Sequence, residues 1–356
     1  MERKLASVQK ILELKPIEGA DTIEVATVLG WHVVVKKGEF APNDLCVYFE
    51  VDSLLPPTPD FEFLAKGGLK KSYFGGREFT GYRLKTIKLR GQVSQGLCLP
   101  MSILQDKKYP NDIRETPIYD CKEGVEVTAL LGVVKYEPAI PVCLTGEVIG
   151  MFPAYIPKTD EIRLQAVPKV LERHKAKKFY VTEKLDGTSM TVFIKDDVLH
   201  VCSRSLDLKE SDKNTYWQVA RKLGLEEKLR ARGKPYALQG EVVGDNIQNN
   251  RLKINGHTCY FFNAYDFETG RFLGFADFMS VIKTLDIPVV PLLADEFTLH
   301  DSVDAMVAYA TRKSVIAPET EVEGVVVRSL EEAVDEELGR LSFKVINPEF
   351  LLKYGE

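Results

Sequence analysis

Residues 180–194, YVTEKLDGTSMTVFI, decide the fold of the second half of the chain. β-Branched and aromatic residues flank Lys184-Leu-Asp186-Gly187 on both sides, so the pattern predicts two strands joined by a tight turn at Gly187. A lysine with a carboxylate two residues later supplies an amine nucleophile and a group that holds a metal ion or its waters. Nucleotidyl transfer requires both. The same letters also fit an ordinary surface hairpin, so the short pattern needs support from the rest of the chain.

Four further segments follow in a fixed order, and none of them indicates a function by itself. They are Cys202-Ser203-Arg204, Gly240-Glu241-Val-Val-Gly, Tyr260-Phe-Phe262-Asn-Ala-Tyr265-Asp266, and the pair Glu323-Gly324-Val-Val-Val-Arg and Ser342-Phe-Lys344. The ordered set resembles the motifs of the covalent nucleotidyltransferases, the superfamily of ATP-dependent ligases and mRNA capping enzymes.

The segments before the nucleophile resemble one branch of that superfamily. Residues 158–165, KTDEIRLQ, and residues 85–96, KTIKLRGQVSQG, are similar to the ATP-dependent RNA ligases typified by the Deinococcus and Naegleria enzymes. DNA ligases and capping enzymes carry a barrel after the last motif. Because 12 residues (356 − 344) follow Lys344 here, we expect no such barrel. The resemblance covers nearly the whole chain.

The expected architecture is α+β, with two domains. Short strands with Gly and Pro turns, among them 22–29, 31–35, 45–51 and 124–130, predict an N-terminal OB-fold β-barrel domain over residues 1–140. Proline-rich residues 141–168 form a linker or edge segment. Residues 169–356 form a C-terminal nucleotidyltransferase domain of the ATP-grasp-like ligase adenylation type, with helices over 216–223, 275–285 and 301–313.

The resemblance implies a reaction in three steps. Lys184 attacks ATP to give lysyl-AMP, AMP passes to an RNA 5′-phosphate, and a 3′-hydroxyl attacks the activated end. ATP and Mg²⁺ or Mn²⁺ are the implied substrate and cofactor. Because a free lysine has a pKa near 10.4, we expect Lys344 and the divalent cation to favour the neutral amine. Asp186, Glu241 and Glu323 would hold the metal or contact the ribose, and the sequence does not assign one role to each.

The resemblance also implies roles for the residues around the nucleotide. Tyr265 occupies the position that stacks on adenine in related ligases, whereas Phe262 sits in an apolar run and reads as core. Glu183 would contact the adenine amino group. Arg204 would meet the ribose or a phosphate, and Arg163 would meet the phosphates.

The last motif departs from the related enzymes. They often have two lysines spaced by one residue, and Ser342 takes the first of these positions here. Lys344 is retained, so adenylylation stays expected. Orientation of the β- and γ-phosphates would then fall to a second metal or to basic groups of the front barrel.

The front barrel contains one local excess of positive charge. Residues 66–90 hold eight basic side chains against Glu78 alone, with four aromatic residues interleaved. Cations suit phosphates and aromatic rings suit unstacked bases, so we expect a flexible loop that binds RNA. Lys85, Lys88 and Arg90 could instead hold pyrophosphate, and a solvated loop is the plain alternative.

Composition excludes other classes of protein. The chain has 356 residues, 45% hydrophobic and 28% charged, with a net charge of −5, which is ordinary for a globular protein. It has no apolar run of membrane-spanning length and no signal-like N-terminus, so we expect a cytoplasmic location without membrane association. The six cysteines are scattered, so neither a disulfide framework nor a zinc site is expected.

The predicted function is an ATP-dependent RNA ligase acting on RNA ends, including those of a nicked duplex, with no obligate protein partner evident. Two alternatives stay open: a capping-type guanylyltransferase, and a non-catalytic RNA-binding OB protein with a degenerate transferase domain. The presence of Lys184, Glu241, Glu323 and Lys344 argues against degeneration.

Overall fold

The computed structural model describes residues 3–74, 77–105, 107, 122–137, 146–158 and 160–355. Gly75-Gly76, and the linker prolines Pro138 and Pro141, lie outside these residues. The chain divides into two compact units. The first contains Met1–Ala139 with Gln165–Pro168 and Pro348–Glu356, and the second contains Ile140–Leu164 with Lys169–Asn347. The sequence pattern had placed residues 348–356 with the transferase domain, because a short terminal helix does not show which core it joins.

The first unit is built from antiparallel sheets. A five-stranded sheet has the order β10-β4-β1-β2-β3, a four-stranded sheet has the order β11-β5-β7-β6, and β8 and β9 form a separate hairpin. The elements are β1 Ala6–Pro16, β2 Ile23–Val28, β3 Trp31–Lys36, β4 Leu45–Phe49, β5 Ser53–Leu55, β6 Lys70–Phe74, β7 Arg77–Arg83, β8 Ile87–Leu89, β9 Gln92–Ser94, β10 Leu97–Pro100 and β11 Val134–Lys135, with 3-10 helices Pro59–Gly67 and Met101–Leu104 and the helix Pro348–Tyr354.

Alternating burial places these strands around an apolar core. Trp31, Val33 and Val35 of β3 point inward, and the residues between them are partly exposed. A two-residue turn joins β2 to β3, with Val28 paired to Trp31. The predicted strand over 124–130 is wrong: this segment runs beside β1 with a single bridge, Ser7 to Glu126. Regular pairing stops there because the Thr128 hydroxyl, in place of a backbone carbonyl, accepts the Ala6 amide at 3.0 Å.

The second unit contains two larger sheets and five helices. Its strands are β12 Val148–Met151, β13 Ile162–Arg163, β14 Phe179–Lys184, β15 Thr188–Lys195, β16 Val198–Cys202, β17 Leu206–Leu208, β18 Tyr236–Gly244, β19 His257–Asp266, β20 Arg271–Phe272, β21 Leu292–Phe297, β22 Gly324–Ser329, β23 Val334–Asp335, β24 Gly339–Arg340 and β25 Ser342–Ile346. Its helices are α1 Val170–Arg173, α2 Thr215–Lys222, α3 Leu225–Arg232, α4 Phe275–Leu285 and α5 Val303–Ala310, with a 3-10 turn at Gln248–Asn250. The 3-10 turn Leu164–Ala166 begins in this unit and ends in the first.

The seven-stranded sheet has the order β12-β17-β16-β15-β18-β19-β20, and the five-stranded sheet has the order β13-β25-β22-β14-β21. Residues from α2, α3 and α4 pack with Val201, Leu238 and Phe261 into the largest core of this unit. These helices therefore cover one face of the seven-stranded sheet, and a smaller apolar cluster around Phe193 and Ala237 lies on the other face. None of the helices in the described part of the chain has the length and hydrophobicity that crossing a bilayer requires.

The chain passes from one large sheet to the other at the predicted nucleophile. Lys184 ends β14 in the five-stranded sheet, and Thr188 begins β15 in the seven-stranded sheet. Gly187 lies in this turn, where a Cβ atom would come 2.4 Å from the Val242 carbonyl oxygen. Only glycine fits there, so the turn brings the nucleophile against β18. The predicted strand–turn–strand at residues 180–194 is confirmed.

Candidate active site

Lys184 lies where β14 ends, beside the start of β22. Its backbone pairs with Gly324, the residue after Glu323. The Lys184 ammonium donates to the Glu323 carboxylate at 2.5 Å, and the two side chains are 25% and 15% exposed. An ion pair this close and this sheltered from water holds the nucleophile in one place. Residues 139 positions apart in the sequence therefore form the centre of the site.

Glu241 reaches the same place from the seven-stranded sheet. It lies on β18 and pairs with Ser189, five residues after the nucleophile. Burial is the main cause that raises the pKa of Glu241 to about 8, and the nearby carboxylates of Glu323 and Asp186 raise it further. The charges of Lys184 and Arg204 act in the opposite direction. Glu241 therefore gives up its proton less readily than a free glutamate.

The electrostatics of Lys184 differ from the expectation drawn from the sequence. Burial lowers the pKa of the Lys184 amine, but Glu323, Glu241 and Asp186 outweigh it and raise that pKa above its ordinary value. The protein alone therefore keeps the amine protonated. Nucleophilic attack needs the neutral amine, so the carboxylates must first be neutralised by another cation.

Asp186 has a partner that the sequence did not suggest. The Arg251 guanidinium donates to its carboxylate at 2.5 Å, and both side chains are about nine-tenths buried. Arg251 follows a stretch in which Asn246, Gln248, Asn249 and Asn250 all have positive φ. Backbone in this region is costly for side chains other than glycine, and such strain clusters at functional sites. The loop between β18 and β19 thus holds the turn that follows the nucleophile.

Glu183 is buried, and its carboxylate already has donors within the protein. It accepts hydrogen bonds from the Ser314 hydroxyl and from the Val315 amide, the latter at 2.7 Å. Burial raises the pKa of Glu183 and outweighs the opposing effect of these donors. The residue therefore fixes the loop after α5 beside the nucleophile strand. A contact with adenine, as expected from the sequence, stays a prediction.

Arg163 and Lys344 lie side by side. The two-residue strand β13 runs parallel to β25, with Arg163 in register with Lys344. Lys344 in turn pairs with Val326 of β22, two residues along from Gly324. Side chains of directly paired residues point to the same face of a sheet. The five-stranded sheet therefore places Arg163, Lys344 and Lys184 on one face.

Arg204 lies in the turn between β16 and β17 and forms an ion pair with Asp160 at 2.6 Å. Both side chains are about half exposed. Exposed pairs contribute little free energy, so a phosphate could take the place of Asp160. The contribution of Arg204 to the pKa of Glu241 shows that this turn lies close to the site.

The aromatic residues of β19 are arranged differently from the expectation. Tyr265 packs against Phe272 and Phe267, with ring centroids 5.3 and 5.8 Å apart. Glu241 pairs with Tyr260, so Tyr265 lies five residues, or about 16 Å, further along the strand. Tyr265 therefore does not lie near Lys184, and its stacking on adenine stays a prediction.

Phe262 lies closer to the catalytic carboxylates. A bulge in β19 pairs Gln239 with Asn263 and Gly240 with Phe261, which leaves Phe262 as the extra residue. Phe261 is fully buried in the core beneath the helices. Phe262 is partly buried, packs against a different cluster that includes Leu185, and has the Arg328 guanidinium 5.5 Å from its ring centre. A period-two sequence pattern could not reveal this reversal, because the bulge shifts the alternation by one residue.

Most of the described residues of segment 66–90 lie in strands, and the part of the predicted flexible loop at Gly75-Gly76 lies outside the described residues. β6 and β7 form a hairpin, and Arg90-Gly91 forms the turn between β8 and β9. Ile87, Lys88 and Leu89 are all exposed. Lys88 lies 3.8 Å from Glu349, an exposed ion pair. Pairing between neighbouring strands gives these residues a regular structure. The charge composition of the segment does not indicate that pairing.

Within the described residues, no three His, Cys, Asp or Glu side chains form a ready group of metal ligands. Asp186 and Glu323 point instead to Arg251 and Lys184. The donor set still fits a divalent cation, because Mg²⁺ and Mn²⁺ prefer oxygen ligands and the carboxylates of Glu241, Glu323 and Asp186 all act on the Lys184 amine. Asp186 and Glu323 each already face a cation, so a metal ion held by Glu323 would share that carboxylate with Lys184.

Comparisons with known proteins agree with this geometry. A family model described as an OB-fold domain matches residues 5–101, and a family model described as RNA ligase matches residues 177–346. No curated protein sequence matches the chain. A solved structure of a Naegleria gruberi RNA ligase mutant with AMP and Mn is 37% identical, with a TM-score of 0.86 and coverage of 98% of both chains.

Two more structures of that protein are equally similar. A mutant with ATP and Mn has 37% identity and a TM-score of 0.87, and covers 99% of this chain and 100% of its own. The form with pyrophosphate has 37% identity and a TM-score of 0.86, with 98% coverage of both chains. This chain belongs to the family of ATP-dependent RNA ligases of the Naegleria type, with an OB-fold domain ahead of the RNA ligase domain.

Proposed function

We propose that the protein joins an RNA 3′-hydroxyl to an RNA 5′-phosphate, with Lys184 as the nucleophile toward ATP. The observation that carries this proposal is the Lys184–Glu323 contact beside Glu241, on strands that carry the ordered motifs. ATP, AMP, Mn and pyrophosphate occur in the Naegleria ligase structures. They correspond to the substrate, the transferred group, the metal and the first product of this reaction. The family favours a ligase over a guanylyltransferase and over a non-catalytic RNA-binding protein.

Each step has a defined bond change. The Lys184 nitrogen bonds to the α-phosphorus, the bond to the bridging oxygen breaks, and pyrophosphate leaves while the amine loses its proton. An oxygen of the RNA 5′-phosphate then takes the AMP from Lys184. Finally the 3′-hydroxyl oxygen bonds to the RNA 5′-phosphorus and AMP leaves. Arg163 and Lys344 would hold the phosphates by charge-assisted hydrogen bonds.

A bound Mg²⁺ or Mn²⁺ would neutralise phosphate and carboxylate charge at this site, and Glu241 and Glu323 would hold it. The chain's own residues do the rest. Glu323 fixes the amine, the Gly187 turn brings it to β18, and Arg204 is close enough to exchange Asp160 for a phosphate or ribose oxygen. RNA ends, including those of a nicked duplex, are the proposed partners, and the cytoplasm is the proposed location.

The test is a sealing assay with a 5′-phosphate RNA and a 3′-hydroxyl RNA held on a complementary strand. We expect joined product and AMP in the presence of ATP and Mn²⁺ or Mg²⁺, and no joining with GTP. A strand with a 5′-hydroxyl is the matched control and should stay unjoined. Sealing that proceeds without any nucleotide and without lysyl-AMP would contradict the proposal.

The position of Phe262 leads to a prediction about adenine binding. Phe262→Ala should raise the KM for ATP in lysyl-AMP formation by roughly 10-fold or more, because stacking of a base on an aromatic ring contributes about 1–3 kcal/mol. Tyr265→Ala should change that KM by less than about threefold, because its ring is occupied with Phe267 and Phe272. The reverse order of effects would restore Tyr265 as the stacking residue.

Lys85, Lys88 and Arg90 lead to a second prediction. If they bind RNA, the triple alanine variant should form lysyl-AMP at the normal rate but seal slowly, with a shallower dependence of RNA affinity on salt. Each lost phosphate contact lowers that slope by about one. If they hold pyrophosphate, lysyl-AMP formation should be slow and sealing of a pre-adenylylated strand near normal. Wild-type rates in both steps would show a solvated hairpin without either role.

A further inference from the structure

A second buried ion pair lies in the RNA ligase domain, away from the nucleophile's own partners. The Glu161 carboxylate accepts from the Arg328 guanidinium at 2.9 Å, and the side chains are 12% and 3% exposed. The Ser342 hydroxyl donates to the same Glu161 oxygen at 3.3 Å. Burial alone would raise the pKa of Glu161, but the positive charges of Arg328, Lys344 and Arg340 lower it below its ordinary value. Both side chains are therefore charged, and each neutralises the buried charge of the other.

The pair lies at the start of a short element that carries a proposed phosphate ligand. Strand β13 contains two residues, Ile162 and Arg163, and Glu161 directly precedes it. A strand of two residues forms too few backbone hydrogen bonds to hold its place by itself. Arg328 on β22 pairs directly with Ser342 of β25, and β25 is also the strand that pairs with β13. The ion pair therefore ties the short strand to the middle of the sheet.

We propose that Glu161 and Arg328 are positioning residues that hold Arg163 beside Lys344, at the phosphate end of bound ATP. This inference rests on the proposed function, because it takes Arg163 to be a phosphate ligand. In this role the ion pair does not itself contact ATP or RNA. Its effect reaches the nucleotide through the backbone of residues 161–163 and through the register of Arg163 with Lys344.

The ion pair also has a contact on the base side of the site, and the test must separate the two. The Arg328 guanidinium lies 5.5 Å from the centre of the Phe262 ring. A defect transmitted through Phe262 would weaken binding of adenosine and of ATP alike. A defect transmitted through Arg163 would weaken binding of ATP and spare adenosine, because adenosine has no phosphate for Arg163 to bind.

The first variant is the double replacement Glu161→Gln with Arg328→Met, which removes both charges and leaves neither buried alone. We expect the KM for ATP in lysyl-AMP formation to rise at least about tenfold, the size of effect expected when a charge-assisted hydrogen bond is lost. The maximal rate should fall less than that. The inhibition constant of adenosine should stay within about twofold of wild type, a split that a general loss of stability would not produce.

The second variant tests the charge directly. Arg328→Met alone leaves the Glu161 carboxylate buried without its cation, whereas Arg328→Lys keeps a cation at the same position of β22. We expect Arg328→Met to raise the KM for ATP at least about tenfold and Arg328→Lys to keep it within about threefold of wild type, since a lysine there can pair with the same carboxylate. Arg221→Met, which removes exposed ion pairs of α2, is the matched control and should leave both constants unchanged.

The outcomes are distinct. If wild-type enzyme forms no lysyl-AMP, the proposed function fails. If wild type reacts and the double variant keeps its KM for ATP, the positioning role fails and the proposed function stands. Equal weakening of adenosine and ATP would assign the pair to Phe262 and overturn the role for Arg163. A thermal melt of each variant shows that it is folded, and a folded Arg328→Lys protein with a KM as high as that of Arg328→Met would also overturn the proposal.

Discussion

Lys184→Ala protein incubated with α-labelled ATP and Mn²⁺ should carry no covalent label, a loss of at least about 10⁴-fold relative to wild type. Removal of a nucleophile acts on this scale in other covalent enzymes. The structure gives this lysine a defined partner in Glu323 and a fixed place at the end of β14. No neighbouring group in that contact can take over the attack, because Glu323 is a carboxylate. The measurement is gel-resolved label on the protein after a single turnover.

Lys184→Arg separates the charge of the residue from its chemistry. Arginine keeps a cation beside Glu323 and preserves the fold, but its guanidinium stays protonated and cannot attack phosphorus. We therefore expect a stable protein without label. Lys195→Ala, a change at the far end of β15, is the control and should label normally. Label on the Lys184→Ala protein would refute the assignment of the nucleophile and with it the reaction proposed here.

The second large effect is expected at Glu323. Glu323→Ala should slow lysyl-AMP formation by about 10²–10³-fold, the cost of removing one preorganised electrostatic contact from a transition state. The Glu323 carboxylate contacts the Lys184 amine at 2.5 Å and is one of the two carboxylates proposed to hold the metal. The measurement is the single-turnover rate of labelling at saturating ATP, with the metal concentration varied.

The control for Glu323 is Glu226→Ala, which removes an exposed ion pair with Arg230 on α3. It should label at the wild-type rate. Glu323→Gln keeps the shape and loses the charge, so a loss as large as that of the alanine variant would show that the charge is what matters. If Glu323→Ala labels normally at limiting metal, the residue is structural and the metal must be held elsewhere.

Much of the site was predictable from order along the chain. Lys184, Glu241 and Glu323 each lie at or near the end of a strand, next to glycine or within a β-branched run, and local patterns of this kind are visible in sequence. Helix α4 was predicted with the bounds that the structure has, because its apolar residues recur at helical spacing. The OB-fold and RNA ligase family models confirm the predicted fold.

The partners of these residues were not predictable. Arg251, Ser314 and Arg328 lie 65, 131 and 167 positions from the carboxylates that they contact. Any of the chain's 47 lysines and arginines could have served for Asp186 or Glu161. The choice depends on which strands pair and in what register, and those are decided by long-range packing.

The sequence by itself determined that a lysine, three carboxylates and a second lysine stand in ligase order in or beside predicted strands, because strand patterns and glycine turns are local properties of the chain. The tertiary structure decided which face each side chain takes and which charge it meets. The bulge in β19 left Phe262 as an extra residue on that strand, and pairing of β13 with β25 put Arg163 beside Lys344. Alternation has a period of two, so one inserted residue reverses every later side chain, and only the paired strand shows where that reversal occurs.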